Sequence, residues 1–153
     1  MEISKPKIYR LQKSVDGSYS PKEGKFEAPV SRAKTPKIYA AVKDGIIVYV
    51  GITTQSLSTR LRQGLKAAGE HGYYGYKWKN HKAIMLYVWV VENIEIEKAA
   101  LELETLEAEL VFLCRSLDGQ WPTSQNEIHF HPSTDKHRKL AVSMYHAVRC
   151  ADG

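Results

Sequence analysis

The sequence predicts an α+β fold: a small central antiparallel sheet of about three core strands, flanked by helices and preceded by an N-terminal extension. Three observations lead there. Two short runs rich in β-branched and aromatic residues, Ile38 to Val42 and Ile46 to Val50, are separated by the turn signal Lys43-Asp44-Gly45. A third run, Ala83 to Val91, is apolar almost throughout, as a strand buried on both faces must be. Around these runs lie stretches whose apolar residues recur with helical period.

At 153 residues, with 43% hydrophobic side chains, the chain is sized for one domain with a proper core. It divides into a basic arm, residues 1–36, and a body, residues 37–153. No apolar run approaches the length of a membrane span, and the N-terminus is charged without a signal-peptide core. Two cysteines, Cys114 and Cys150, supply neither a disulfide framework nor metal-ligand spacing, so a reducing, cytoplasmic setting is expected. Residues 1 to 37 hold nine Lys and Arg against four Asp and Glu, which accounts for the whole net charge of +5. A basic arm beside a neutral body suits contact with a phosphate backbone, though a solvated tail has the same composition.

In the arm, Lys7 to Leu11 is a strand candidate, and Gly17, Pro21, Gly24 and Pro29 then favour a hairpin or irregular loops over a separate domain. For the hairpin that follows, side-chain alternation weighs two loops. A two-residue Asp44-Gly45 loop puts Tyr39 and Tyr49 on opposite faces. A three-residue loop with a bulge at Gly45 sets Tyr39 opposite Tyr49 and gathers Ile38, Ala40, Val42, Ile46, Val48 and Val50 on one apolar face. The second register is favoured because slippage by one would scatter that apolar set.

A helix is expected from Leu57 to about Ala68, capped by Ser56 or Ser58, with Leu57, Leu61, Leu65 and Ala68 on one stripe and Gly69 as a stop. Arg60 lies off the stripe in the first turn, free to point toward the strand ends. From Gly72 to Lys82 aromatic and basic residues alternate. Trp78 with Lys77, Lys79 and Lys82, and Arg62 on the preceding helix, are the residues expected to meet nucleic acid, by stacking and by phosphate contact. The same aromatics could instead cover the edge of the core.

A long helix is expected from Ile94 to Leu117, stopped by Asp118-Gly119, with Ile96, Ala99, Leu103, Leu106, Leu110, Leu113, Cys114 and Leu117 as its apolar stripe. Glu107 falls within that stripe. A carboxylate there is costly to bury without a partner, which makes it a site candidate, with a salt bridge at the core edge as the plainer reading. Glu127 to Phe130 is a last strand candidate, with His129 and His131 two apart on it. Ser133 to Cys150 is a final helix with Leu140, Ala141, Met144, Tyr145 and Val148 as its apolar face.

The hairpin strings Lys37-Ile38-Tyr39 and Tyr49-Val50-Gly51, followed by Arg60, resemble the GIY-YIG nuclease superfamily, with Lys37 where the family usually has glycine. Glu107 with Leu110 and Val111 one turn later is similar to the family's metal-binding glutamate, Glu104 being the runner-up. Trp121-Pro122 and Asn126 are similar to its proline and asparagine. The resemblance runs from about Lys37 to Phe130.

It implies a DNA endonuclease, a restriction-type role being one form that a module of this size can take. Tyr39 and Tyr49 would hold or deprotonate the attacking water, Lys37 or a metal-bound water network favouring the phenolate. Arg60 would grip the scissile phosphate. Glu107 would bind magnesium, or manganese in its place. Asn126 would order the metal shell or the phosphate, and His81 would assist the leaving group. A homodimer is the natural way to cut both strands of a symmetric DNA site. The alternative is a catalytically weak nucleic-acid-binding module that keeps the nuclease fold.

Overall fold

The computed structural model describes residues 1–72 and 75–152. The chain is α+β, as expected, but its antiparallel sheet has six strands rather than about three. They are β1 (Glu2–Ile3), β2 (Lys7–Lys13), β3 (Tyr19–Pro21), β4 (Lys37–Lys43), β5 (Ile46–Thr53) and β6 (Ala83–Glu92). Three helices complete it: α1 (Leu57–Lys66), α2 (Ala99–Asp118) and α3 (Asp135–Arg149).

The sheet order is β3-β2-β6-β4-β5, with β1 also paired to β6. The apolar run of β6 therefore lies at the centre, as its composition predicts. The extra strands all come from residues 1–36, expected to be a basic arm with one strand candidate, Lys7 to Leu11; that candidate is β2. Lys7 to Gln12 pair with Val88 to Ala83, and Glu2 and Ile3 pair with Glu92 and Val91. Val30, further along the same segment, is fully buried. These residues were hard to see as sheet because β1 and β3 have two and three residues, too few to show alternation.

The expected apolar face of the β4–β5 hairpin is not complete: Ile46 is exposed, Ile47 takes its place, and Val48 packs with the tyrosines. The hairpin puts Tyr39 and Tyr49 on one face, as expected, but by a different device. Its loop has two residues, not three: Asp44 (φ 50°) and Gly45 (φ 71°) are both left-handed, the form whose twist matches the strands. The odd residue sits inside β5 instead. Ala41 pairs with Tyr49 and Val42 with Ile47, so Val48 is a bulge. That bulge shifts the alternation by one and returns Tyr39 and Tyr49 to the same face. The two do not stand directly opposite: Tyr39 pairs with Gly51, Tyr49 with Ala41, and their ring centroids are 6.1 Å apart.

Each face of the sheet carries a core. On one, Ile38, Ala40, Val50 and Trp89 pack beneath Leu103, Leu106 and Leu110 of α2 and Met144 and Val148 of α3. On the other, Tyr39, Ala41, Tyr49 and Val88 pack beneath Leu57 and Leu61 of α1 and the turn that carries Tyr76 and Trp78. Helix α1 starts at a Ser56 cap whose Oγ accepts from the Thr59 N–H, and it ends two residues earlier than Ala68. Helix α2 is shorter at its start than predicted, a 3-10 turn covering Ile96–Lys98, and closes on Gly119 at φ 76°. Ile96 and Leu117, the ends of its predicted stripe, are exposed. The chain from Glu127 to Phe130 is not a strand. His129 is exposed, and the His131 imidazole lies 2.7 Å from a Glu104 carboxylate oxygen, so the two do not share a strand face.

Candidate active site

β5 is an edge strand, and α1 and α2 approach that edge from opposite faces. A shallow pocket of about 390 Å3 opens between them, lined by Ile52, Thr54, Gln55, Arg60, Gln63 and Ala100 among others. Of the residues predicted to carry chemistry, Arg60 is the one that lines it.

Tyr39 is 0% exposed and Tyr49 is 4% exposed, both packed over Gly51. A Cβ on Gly51 would lie 2.6 Å from Cζ and the hydroxyl of Tyr39 and 2.7 Å from Cε1 of Tyr49. The glycine of the Tyr49-Val50-Gly51 string is thus required because two rings close over its backbone, not because of its φ. Burial pushes both phenols well above their ordinary range. Neighbouring Tyr76 adds to the shift, and the Arg60 guanidinium opposes it at both.

Arg60 is half-buried on the flank of α1, with its guanidinium over the Tyr76 ring, 5.4 Å from the centroid. Its charge acts on Tyr39, on Tyr49 and on Glu107. Glu107 is half-buried on α2, where desolvation first and the Glu104 charge second push its carboxyl up to about 8. Its own charge raises the Tyr49 phenol in turn. Tyr39, Tyr49, Arg60 and Glu107 therefore form one electrostatic unit, assembled from β4, β5, α1 and α2.

One member has no counterpart among the predicted residues. The Tyr76 hydroxyl is 2.6 Å from that of Tyr39, and its ring packs 5.2 Å from the Tyr49 ring. Two glycines make room for it. A Cβ on Gly64 would come within 2.1 Å of the Tyr76 ring, and one on Gly75 within 1.9 Å of the Gly64 carbonyl oxygen. Gly64 in the middle of a predicted helix was the available signal, since glycine there costs about 1 kcal/mol against alanine unless something needs the space.

Other predicted residues lie elsewhere. Lys37 is 0% exposed, and its Nζ donates to the carbonyls of Arg32 (2.9 Å), Thr35 (2.6 Å) and Gln55 (2.7 Å). Burial lowers its pKa to about 8. It is not among the charges acting on either tyrosine. It straps the chain before β4 to the loop before α1, so its expected part in favouring a phenolate has no geometry behind it. His81 stands just before β6, at the opposite end of the strands from Gly51, near the β4–β5 turn. Trp78 is 0% exposed, stacked on Tyr76 at 4.7 Å and edge-on to Tyr19. It is a core residue with no face left to stack on a base. Lys77, Lys82 and Arg62 are exposed, and Lys79 donates from Nζ to the Ala67 carbonyl. Tyr73 and Tyr74, also part of the aromatic loop expected to meet nucleic acid, lie outside the described residues.

Asn126 is exposed beside the β5 edge. Its neighbour Gln125 makes the contact: Oε1 accepts from the Val50 N–H at 2.8 Å and Nε2 donates to the Val50 carbonyl at 3.0 Å. With the Ser124 N–H on the Val48 carbonyl at 2.8 Å, this segment covers the open edge of β5 next to the bulge.

Among the described residues no group of three or more His, Cys, Asp or Glu is placed to hold a metal ion. A magnesium ion does not need one, since it is commonly held by one or two carboxylates, waters and a substrate phosphate. Glu107, a half-buried carboxylate on α2 that feels the Arg60 charge, is a fitting donor of that kind.

Among the described residues no helix is long and apolar enough to cross a membrane. No family model, curated protein or solved structure matches this chain.

Proposed function

We propose that this chain is a metal-dependent endonuclease that hydrolyses phosphodiester bonds in DNA. One observation carries the reading. Residues that the resemblance groups, from four separate elements, lie close enough that Arg60 acts electrostatically on Tyr39, Tyr49 and Glu107 together.

The parts suit the chemistry. Arg60 presents a planar, permanently charged fork at the pocket wall, fitted to two oxygens of a phosphate. The cation already opposes the ionisation cost of both phenols, and a phosphate bound there would compete for it. Tyr49, the less buried of the pair, would orient the attacking water through its hydroxyl. Tyr39 and Tyr76 stand behind it as a hydrogen-bonded pair that fixes its direction. Both phenols are neutral before substrate arrives, so they orient water and pass a proton along rather than wait as phenolates. Glu107 would hold a magnesium or manganese ion. Such an ion would supply stabilisation of the charge that develops on the phosphate oxygens. A homodimer would bring two such sites to the two strands.

The second reading, a catalytically weak module that binds nucleic acid, draws on the complete burial of Tyr39. A side chain with no exposed surface cannot touch a water until something moves. Nicking of supercoiled plasmid with magnesium and with chelator separates the readings. Metal-dependent nicking supports the enzyme, and retention of DNA without nicking supports the module.

A further inference from the structure

We propose that the groove between the β2–β3 hairpin and α1 binds a short single-stranded stretch of polynucleotide. The proposal rests on the nuclease reading and extends it, because it says where the substrate strand runs after leaving Arg60.

The groove has a volume of about 880 Å3. Lys25 on one wall and Arg62 and Lys66 on the other are all exposed, and none has an acidic partner among the described residues. Among the described residues lining it the one carboxylate, Asp16, is taken up by its own turn: Oδ1 accepts from the hydroxyls of Ser14 and Ser18, each at 2.6 Å, and from the Ser18 N–H at 3.0 Å. Two further lysines brace the wall. The Lys13 Nζ donates to the Lys79 carbonyl at 2.8 Å, and the Lys79 Nζ to the Ala67 carbonyl at 3.1 Å. Uncompensated positive charge thus rims the groove, while Phe26 and Leu65 give it a half-buried apolar floor.

Cations around an apolar floor match a ligand that is anionic along its backbone and apolar on its faces. Unstacked nucleotides have both properties. A duplex keeps its base faces stacked together, so it could use the rim but not the floor. The position also fits. Arg62 and Lys66 are one turn apart on α1, on the flank opposite Arg60, which looks into the pocket at the β5 edge. The two flanks are a helix diameter apart, about 10–12 Å. A strand whose phosphate rests on Arg60 reaches the groove by crossing α1.

The test is fluorescence anisotropy of the full chain in chelator, where no cleavage occurs. The probes are labelled oligothymidine and a duplex of equal length, with polyglutamate as competitor. A Lys25→Ala, Arg62→Ala, Lys66→Ala triple variant should bind oligothymidine at least tenfold more weakly. Its log–log salt slope should be shallower by about 2, at roughly 0.7 per lost phosphate contact on single strands. Lys136→Ala on α3, exposed and remote from the groove, should bind as wild type. Unchanged affinity and slope in the triple variant overturn the proposal. An equal loss on the duplex overturns the single-strand assignment. Polyglutamate displacing the probe from wild type but not from the triple variant would make the groove a site for acidic peptides. Plasmid nicking by wild type, scored separately, decides the nuclease reading: its absence with groove binding intact sinks that reading alone, and its presence with the triple variant binding normally sinks the groove alone.

Discussion

The hydroxyl groups of Tyr39 and Tyr76 stand 2.6 Å apart in the interior, each 0% exposed. Neither residue is near the other in sequence, and Tyr76 is seated there only because Gly64 and Gly75 leave the space. Tyr76→Phe keeps the ring and removes the hydroxyl, leaving Tyr39 with one partner fewer. The expected cost is about 1–2 kcal/mol of stability, with cleavage slowed by roughly tenfold or more, in the range of a lost proton-handling group. Thermal melting and a plasmid time course measure both. Cleavage at the wild-type rate would show that this hydroxyl pair has no part in the reaction.

Gly51→Ala should do more damage than any other single methyl added to the hairpin. Its Cβ would lie 2.6 Å from the Tyr39 ring and 2.7 Å from that of Tyr49, and both rings are hemmed in by Tyr76. Overpacking of this kind costs about 1–3 kcal/mol. Urea titration gives the loss directly. A variant as stable as wild type would mean the rings have room to retreat.

Lys37 should behave as a strut. Lys37→Met keeps much of the aliphatic stem but leaves the carbonyls of Arg32, Thr35 and Gln55 without their donor. A loss of about 2–4 kcal/mol is expected, since each orphaned buried group costs about 1–3 kcal/mol and water recovers part of it. Cleavage per folded molecule should be nearly unchanged. A stable but inactive Lys37→Met variant would return Lys37 to the site.

What the sequence makes legible here is local, and what it hides is long-range. The hairpin, the central β6, the Ser56 cap and the Gly119 stop all follow from neighbouring residues. The shared face of Tyr39 and Tyr49 also followed, from the demand for one apolar face. The bulge at Val48 that produces it could not be read, because any β-branched residue fits a bulge and the Gly45 turn was an equally good place to shift parity. Of the N-terminal strands only Lys7 to Leu11 was legible; β1 and β3 are too short to show alternation, and pairing with β6 joins residues some eighty positions apart. Trp78 stood open between stacking on a base and covering the core edge because lysines flank it; the burial that decides for the core depends on Tyr19 and Tyr76. Glu107 was found for a physical reason that the fold keeps: it is a carboxylate with little water around it.

That reason makes Glu107 sensitive to pH. Its folded value of about 8 lies above the ordinary 4.5, so the folded protein binds the proton more tightly than the unfolded chain. Stability from this group is full below pH 4.5 and declines as pH rises to about 8, where the ionised carboxylate bears its whole desolvation cost. Glu107→Gln should remove that part of the decline and raise Tm at pH 8 by roughly 2–8 °C, the equivalent of about 1–2 kcal/mol. Magnesium binding must displace the proton, so its apparent affinity should tighten as pH rises from 6 to 8, up to about tenfold per unit. Calorimetric melts across pH, with and without magnesium, check both. A Tm difference that does not vary with pH would mean Glu107 titrates as an ordinary surface carboxylate.

The most direct test of the central claim is nicking of supercoiled plasmid by wild type, Glu107→Gln and Glu104→Gln, each at saturating magnesium and in chelator. The account predicts metal-dependent nicking by wild type and by Glu104→Gln. It predicts none by Glu107→Gln at any magnesium concentration, although that variant is folded and still retains DNA. Normal nicking by Glu107→Gln, or no nicking by wild type under any divalent cation, would contradict it.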